Sequence, residues 1–136
     1  MAKVVNLTPH AIVYQAPSGE RTVFEPSGTV ARVDSTLGSE NTADFEGVEV
    51  KAVSAPTFRG VYLETETSEG GKETSEFPEP VEGVVYLVSG FVLQHVSGRA
   101  DVYQPGTGPK DGVIRFPAEH KLAGNIEAVT RFICAG

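Results

Sequence analysis

The fourteen residues from Arg99 to Gly112, RADVYQPGTGPKDG, hold the densest set of groups able to contact a ligand. They supply two cations, Arg99 and Lys110, a carboxylate at Asp101, an aromatic ring at Tyr103 and the two glycines Gly106 and Gly108 around Thr107. Glycines allow successive backbone N–H groups to face one concavity, which suits a phosphate or a carboxylate. An arginine presents a planar fork that grips such an anion with two hydrogen bonds, and a tyrosine ring can stack on a base or sugar face. His10, in LTPH near the start, adds a group that gains or loses a proton near neutral pH. The stretch is neither a Walker A loop nor a dinucleotide fingerprint: Lys110 is followed by Asp111, and no G-x-G-x-x-G follows a strand. Two readings stand side by side. Arg99, Asp101, Tyr103, Gly106, Thr107, Gly108, Lys110 and His10 form a small-anion site, or Arg99 pairs with Asp101 and the glycines merely turn the chain.

Catalytic patterns are sparse. The sequence contains no G-x-S-x-G elbow, no HExxH and no CxxC, and its one cysteine, Cys134, lies in an apolar strand as the third residue from the end. An enzymatic reading would need Asp101, Asp111 and Glu82 to converge, and their spacing does not require it. His95 falls on an apolar helical face and His120 in a polar loop, both as structural residues. No cofactor and no metal site is expected.

The elements around these groups read as mainly β. Gly (15) and Pro (9) make up 24 of 136 residues, which favours turns and short strands over a helical bundle. Strands are predicted at Val4–Leu7, Ala11–Gln15, Arg21–Phe24, Val30–Ser35, Val48–Val53 and Phe58–Glu66, mostly with an alternating wet face. The apolar run Val84–Val88 reads as the central strand, buried on both faces. Val88, Phe91, Val92, His95 and Val96 share one helical face, so the spacing predicts one short helix over about 89–97, capped by Ser89 and stopped at Gly98. A Gly/Pro loop at 103–112, a short strand at 113–116 and a last strand at Ile126–Ile133 follow. The expected fold is a single α+β domain over 1–136: a small twisted antiparallel sheet or a partly open barrel.

Charge is uneven. Eighteen acids against eleven bases give −7; the segment Glu64–Glu82 holds seven acids and one lysine, hence −6, leaving −1 for the other 117 residues. Its middle lacks apolar residues, so 64–77 reads as an acidic flexible insertion or a hairpin tip. An acidic chain with no basic face is expected to bind no nucleic acid, and no apolar run is long enough for a membrane helix. The absence of a signal-peptide pattern favours the cytoplasm.

The motifs VNLTPH, PSGTVARV, PEPVEGVVYLVS and GRADVYQPGTGP, in that order, resemble a family of small uncharacterised proteins of bacteriophages and prophages of actinobacteria and firmicutes. That resemblance implies a phage accessory protein, with the acidic 64–77 stretch as a departure from the family pattern. It carries no catalytic residues over. By analogy with phage proteins that counter host defence, the expected role is non-enzymatic sequestration of a small anionic signalling ligand of cyclic-nucleotide or ADP-ribose type. Such a protein would work as a homo-oligomer in the host cytoplasm, with the apolar helix as a dimer face. The alternative is a structural virion protein, a capsid decoration or tail accessory subunit.

Overall fold

The computed structural model describes residues 3–36, 38–96 and 98–136. Thirteen strands and one helical turn follow in chain order: β1 (Lys3–Asn6), β2 (Ile12–Gln15), β3 (Arg21–Phe24), β4 (Thr29–Thr36), β5 (Glu40–Phe45), β6 (Val48–Val53), β7 (Thr57–Glu66), β8 (Lys72–Glu76), β9 (Val84–Leu87), α1 (Gly90–Leu93), β10 (Val102–Pro105), β11 (Ile114–Arg115), β12 (Ile126–Ala128) and β13 (Phe132–Cys134). The fold is mainly β with a single short helix among the described residues, and its sheets are not closed into a barrel.

The central sheet has the order β1-β9-β10-β13. β9 takes the interior position that its unbroken apolar run predicts, with Tyr86, Leu87 and Val88 all buried. Its neighbours differ from the antiparallel expectation. β1 and β10 both run parallel to β9, and only β13 is antiparallel, against β10. The β9–α1–β10 connection is a compact crossover, and crossovers deliver parallel strands.

Alternation along β9 divides the core between the two sheet faces. On one side Tyr86 and Val88 pack with Leu7, Ala31, Val92 and Val102, covered by α1 and by Val61 and Leu63 of β7. On the other, Leu87 packs with Ile12 and Val129 beneath the β2–β3 hairpin. β4, β7 and β8 form a separate three-stranded antiparallel sheet. Within it β7 and β8 make a hairpin turned at Thr67–Gly71, so the acidic stretch is a paired ribbon with β8 exposed throughout.

Three predicted elements change shape. The helix is one turn, Gly90–Leu93, not 89–97; Ser97 lies outside the described residues. Ser89 caps it as expected, accepting from the Val92 N–H at 3.4 Å. Beyond Leu93 the bonds tighten to i→i−3, His95 to Val92 and Val96 to Leu93, and the Gly98 N–H turns to the Ala135 carbonyl. Phe91 is exposed, its ring edge-on to Phe58 and His95, while Val88 and Val92 are buried. The last strand is cut in two, because β12 pairs with β11 whereas β13 pairs with β10, and the chain changes sheets at Val129–Arg131. Part of the predicted 103–112 loop is strand: β10 hydrogen-bonds on both sides, a role that its Gln-Pro composition conceals.

Candidate functional site

Parallel alignment brings the carboxyl ends of β1, β9 and β10 to one edge of the sheet. Asn6 pairs with Leu87 and Leu87 with Tyr103, about 4.8 Å between strands, so the three strands run out toward the same edge. In parallel sheets this is the edge at which ligands are held, because the chain leaves each strand there in a loop. The loops here carry His10 after β1, Ser89 after β9, and Gly106, Thr107, Gly108 and Lys110 after β10. His10, Ser89, Thr107 and Lys110 are exposed.

The first loop is organised by Asn6, which is only 2% exposed. Its Nδ2 donates to the His10 and Phe24 carbonyls at 2.9 Å each, and its Oδ1 accepts from the Thr8 N–H at 2.9 Å and the Thr8 hydroxyl at 2.6 Å. Every hydrogen-bonding group of this amide faces an explicit partner. It folds the chain tightly around Pro9 and presents His10 to solvent. Asn6-Leu7-Thr8 has the form of a glycosylation sequon, but the local signal for the role seen here is an Asn two residues before Thr and three before Pro.

Between the second and third loops, the Gln104 side chain lies against Gly90, where a Cβ would come within 3.0 Å of Gln104 Oε1. The turn into α1 therefore admits no side chain without moving Gln104.

The third loop is a filled cradle. The Gly108 N–H donates to Asp111 Oδ2 at 2.8 Å, and the Arg131 guanidinium grips Asp111 Oδ1, with Nε at 2.7 Å. These contacts hold the Asp111 carboxyl below its ordinary range, the Arg131 hydrogen bond contributing most and the Gly108 N–H next. The Gly106 N–H donates to the Arg131 carbonyl at 2.9 Å. The loop thus has the chemistry of an anion site, and the chain's own Asp111 occupies it. Lys110 forms no ion pair among the described residues.

Arg99 and Asp101 stand at the other end of β10. Four strand residues, about 13 Å, separate them from Gly106. Arg99 forks onto Asp101, with Nε to Oδ1 at 2.9 Å and Nη2 to Oδ2 at 2.8 Å, and its guanidinium lies 5.5 Å from the centre of the Phe77 ring. Their hydrogen bond raises the Arg99 pKa and lowers that of Asp101. Tyr103, in mid-strand, faces Cys134 on β13, and this neighbour raises the phenol above its ordinary value. The structure therefore brings His10, Gly106, Thr107, Gly108 and Lys110 to one edge and removes Arg99 and Asp101 from it. Asp101 and Asp111 do not converge, and among the described residues no cluster of His, Cys, Asp and Glu fits a metal ion.

A cavity of about 360 Å³ opens beside Thr8 and Pro9, with Pro26, Val30, Arg32 and Lys72 among its walls. Arg32 and Lys72 lie 3.8 and 3.3 Å from Glu64, and Glu66 also lines the wall, so the charges around this cavity balance. A larger one, about 530 Å³, faces Asp34 and Glu76, with no cation in its wall among the described residues. No known protein family, curated protein or solved structure matches the chain.

Proposed function

We propose that the chain is a non-enzymatic binding module that holds a small anionic, nucleotide-type ligand at the carboxyl edge of β1, β9 and β10. The observation that carries this reading is the parallel alignment that gathers His10, Ser89, Thr107 and Lys110, all exposed, around one edge. Lys110 supplies the charge for a phosphate, and His10 and the two hydroxyls supply directional hydrogen bonds. The neutral cavity beside Thr8 falls in the size range of small-molecule sites and suits a sugar or base better than a phosphate. In the phage setting implied by the sequence motifs, such a module would sequester a host signalling nucleotide in the cytoplasm and counter defence.

Native mass spectrometry with cyclic dinucleotides, cyclic ADP-ribose isomers and NAD tests the proposal. An unaltered ligand mass on the protein supports sequestration, and Lys110→Ala should weaken binding about tenfold, as expected for losing a charge-assisted hydrogen bond. No adduct across the panel, or a ligand mass that changes with time, would overturn it. The virion-subunit alternative rests on a different observation, a hairpin of β5 and β6 that forms a sheet of its own and joins neither described core cluster, and it predicts the chain in purified particles.

A further inference from the structure

The loop after β10 is closed by residues of its own chain. Pro105 pairs with Phe132 at the end of the β10–β13 ladder, so Gly106 and Arg131 come face to face, and the Gly106 N–H donates to the Arg131 carbonyl at 2.9 Å. From there the Arg131 side chain reaches across the loop to Asp111 and donates through Nε at 2.7 Å and through Nη2. The Gly108 N–H donates to the other oxygen of the same carboxylate at 2.8 Å. Thr130 fixes the far side, its hydroxyl 3.1 and 3.0 Å from the Asp111 and Gly112 carbonyls.

The floor of this cradle has no room for side chains. A Cβ at Gly108 would come within 2.9 Å of Asp111 Oδ2, and one at Gly106 within 3.1 Å of Arg131 Cγ and Asp111 Cβ. Bare glycine backbone lets an anion come close to a peptide N–H, as in loops that hold phosphate. Here the anion is the chain's own carboxylate, 11% exposed beneath an arginine that is 57% exposed.

The cations around the loop are only partly used. Arg131 Nε and Nη2 both engage Oδ1, and Nη1 has no hydrogen-bond partner among the described residues. Lys110, next to Asp111 in the chain, is exposed and forms no ion pair among the described residues. A carboxylate brings a single charge to this set. A phosphate brings a further oxygen and about −1.5 to −2 charge at pH 7. It can meet Arg131 with a parallel fork, accept from Gly108 and still leave an oxygen for Lys110.

We infer that Asp111 is a built-in stand-in for the ligand's phosphate: the phosphate takes over the Arg131 guanidinium and the Gly108 N–H, and the carboxylate swings out to solvent. The inference rests on the carboxyl-edge reading for the nature of the ligand. It adds Arg131 to that site as the phosphate fork and makes Asp111 its internal competitor.

The test is titration of the intact chain with inorganic phosphate, followed by backbone amide and arginine Nε–H signals in NMR. In the unmodified chain, phosphate should shift Gly108, Lys110 and Arg131 Nε–H together, and the Asp111 carboxyl carbon should move as its hydrogen bonds are lost. Asp111→Asn keeps the shape of the side chain and removes its charge. It should bind phosphate at the same groups about tenfold more tightly, the effect of freeing a charge-assisted hydrogen bond. Adding Arg131→Gln should abolish that gain. Unmoved Gly108 and Arg131 signals in the unmodified chain, or no gain in folded Asp111→Asn, would overturn the inference. Nucleotide binding that leaves this loop silent sinks it alone, whereas phosphate on the loop with no nucleotide adduct upholds it and sinks only the nucleotide reading.

Discussion

Arg99 and Asp101 are locked to each other: two parallel hydrogen bonds, 2.9 and 2.8 Å, join a guanidinium and a carboxylate that are each less than one-fifth exposed. The pair also leans on Phe77, which in turn packs against Tyr86 of the central strand at 6.1 Å between ring centres. The arginine that looks most like a ligand fork is a brace between β10 and the core. Arg99→Ala is accordingly expected to cost about 2 kcal/mol, through the lost charged hydrogen bonds and ring contact, and to lower Tm by roughly 4–8 °C. Ligand affinity per folded molecule should not change. Calorimetry beside a binding titration checks this, and a tenfold affinity loss at unaltered Tm would return Arg99 to the site.

Acid should unfold the protein through two carboxylates. Asp101 and Asp111 both have folded pKa values below the usual carboxylate value, each because an arginine hydrogen-bonds to it. The folded state therefore binds fewer protons than the unfolded chain around pH 4. Their stabilisation is complete above about pH 5 and is lost as pH falls through the folded values. Urea midpoints at pH 7, 5 and 3 should fall steeply below pH 5 in the unmodified chain. An Asp101→Asn, Asp111→Asn double variant should start lower and decline less, and parallel pH profiles would contradict the assignment.

Asn6 is the most demanding buried polar residue described. Replacing it with Asp removes both donors to the His10 and Phe24 carbonyls and places a charge in the core. Both carbonyls lose this donor, the His10 carbonyl keeping only the Thr8 hydroxyl at 2.9 Å, and a carboxylate is left buried, so a loss of about 3 kcal/mol and a Tm fall of roughly 10 °C are expected. Asn6→Asp should also free the His10 loop, visible as faster amide exchange at Thr8 and Ala11 than in the rest of the domain. Unchanged exchange there would show that the loop is held by other contacts.

The acidic ribbon can be shortened, but only in register. Excising 67–76 would drag Phe77 from its place beside Tyr86, because Glu76 pairs with Tyr62, four residues back along β7. Replacing 67–71 with Asn-Gly closes the hairpin at the Glu66–Lys72 pair, leaves Lys72 in the cavity wall and keeps the 2.8 Å bond between the Thr29 and Thr65 hydroxyls. Fold and ligand binding should survive, with Tm within roughly 5 °C because the residues that leave lie in the turn and outside both core clusters. Loss of binding in this variant would make the ribbon part of the site.

Much of the local structure was written in the sequence. The Val84–Val88 run specified a strand buried on both faces, the alternation of 30–35 and 58–66 specified half-buried strands, and Ser89 specified where a helix starts. These signals are local, since a side chain's face follows from the two- or 3.6-residue period. The helix length was misread because Val92 and Val96 sit at helical spacing whether or not the backbone between them stays helical, and the Gly98–Ala135 bond turns the chain aside. β5 went unseen because Asn, Thr, Ala and Asp resemble a loop, and its partner β6 supplies half the ladder.

What only the tertiary structure decided is which chemistry stands together. The fourteen-residue stretch from Arg99 to Gly112 looks like one site because its residues are close in sequence. Four of them became strand β10, and a strand carries its two ends apart by its own length, so Arg99 and Lys110 face different edges. The same strand, set parallel to β9 beside β1, brings Lys110 to the edge that holds His10, a hundred residues earlier in the chain. Residue type and short-range period settle how each segment folds. Long-range pairing settles which loops meet, because it depends on the summed burial of faces that no single segment contains.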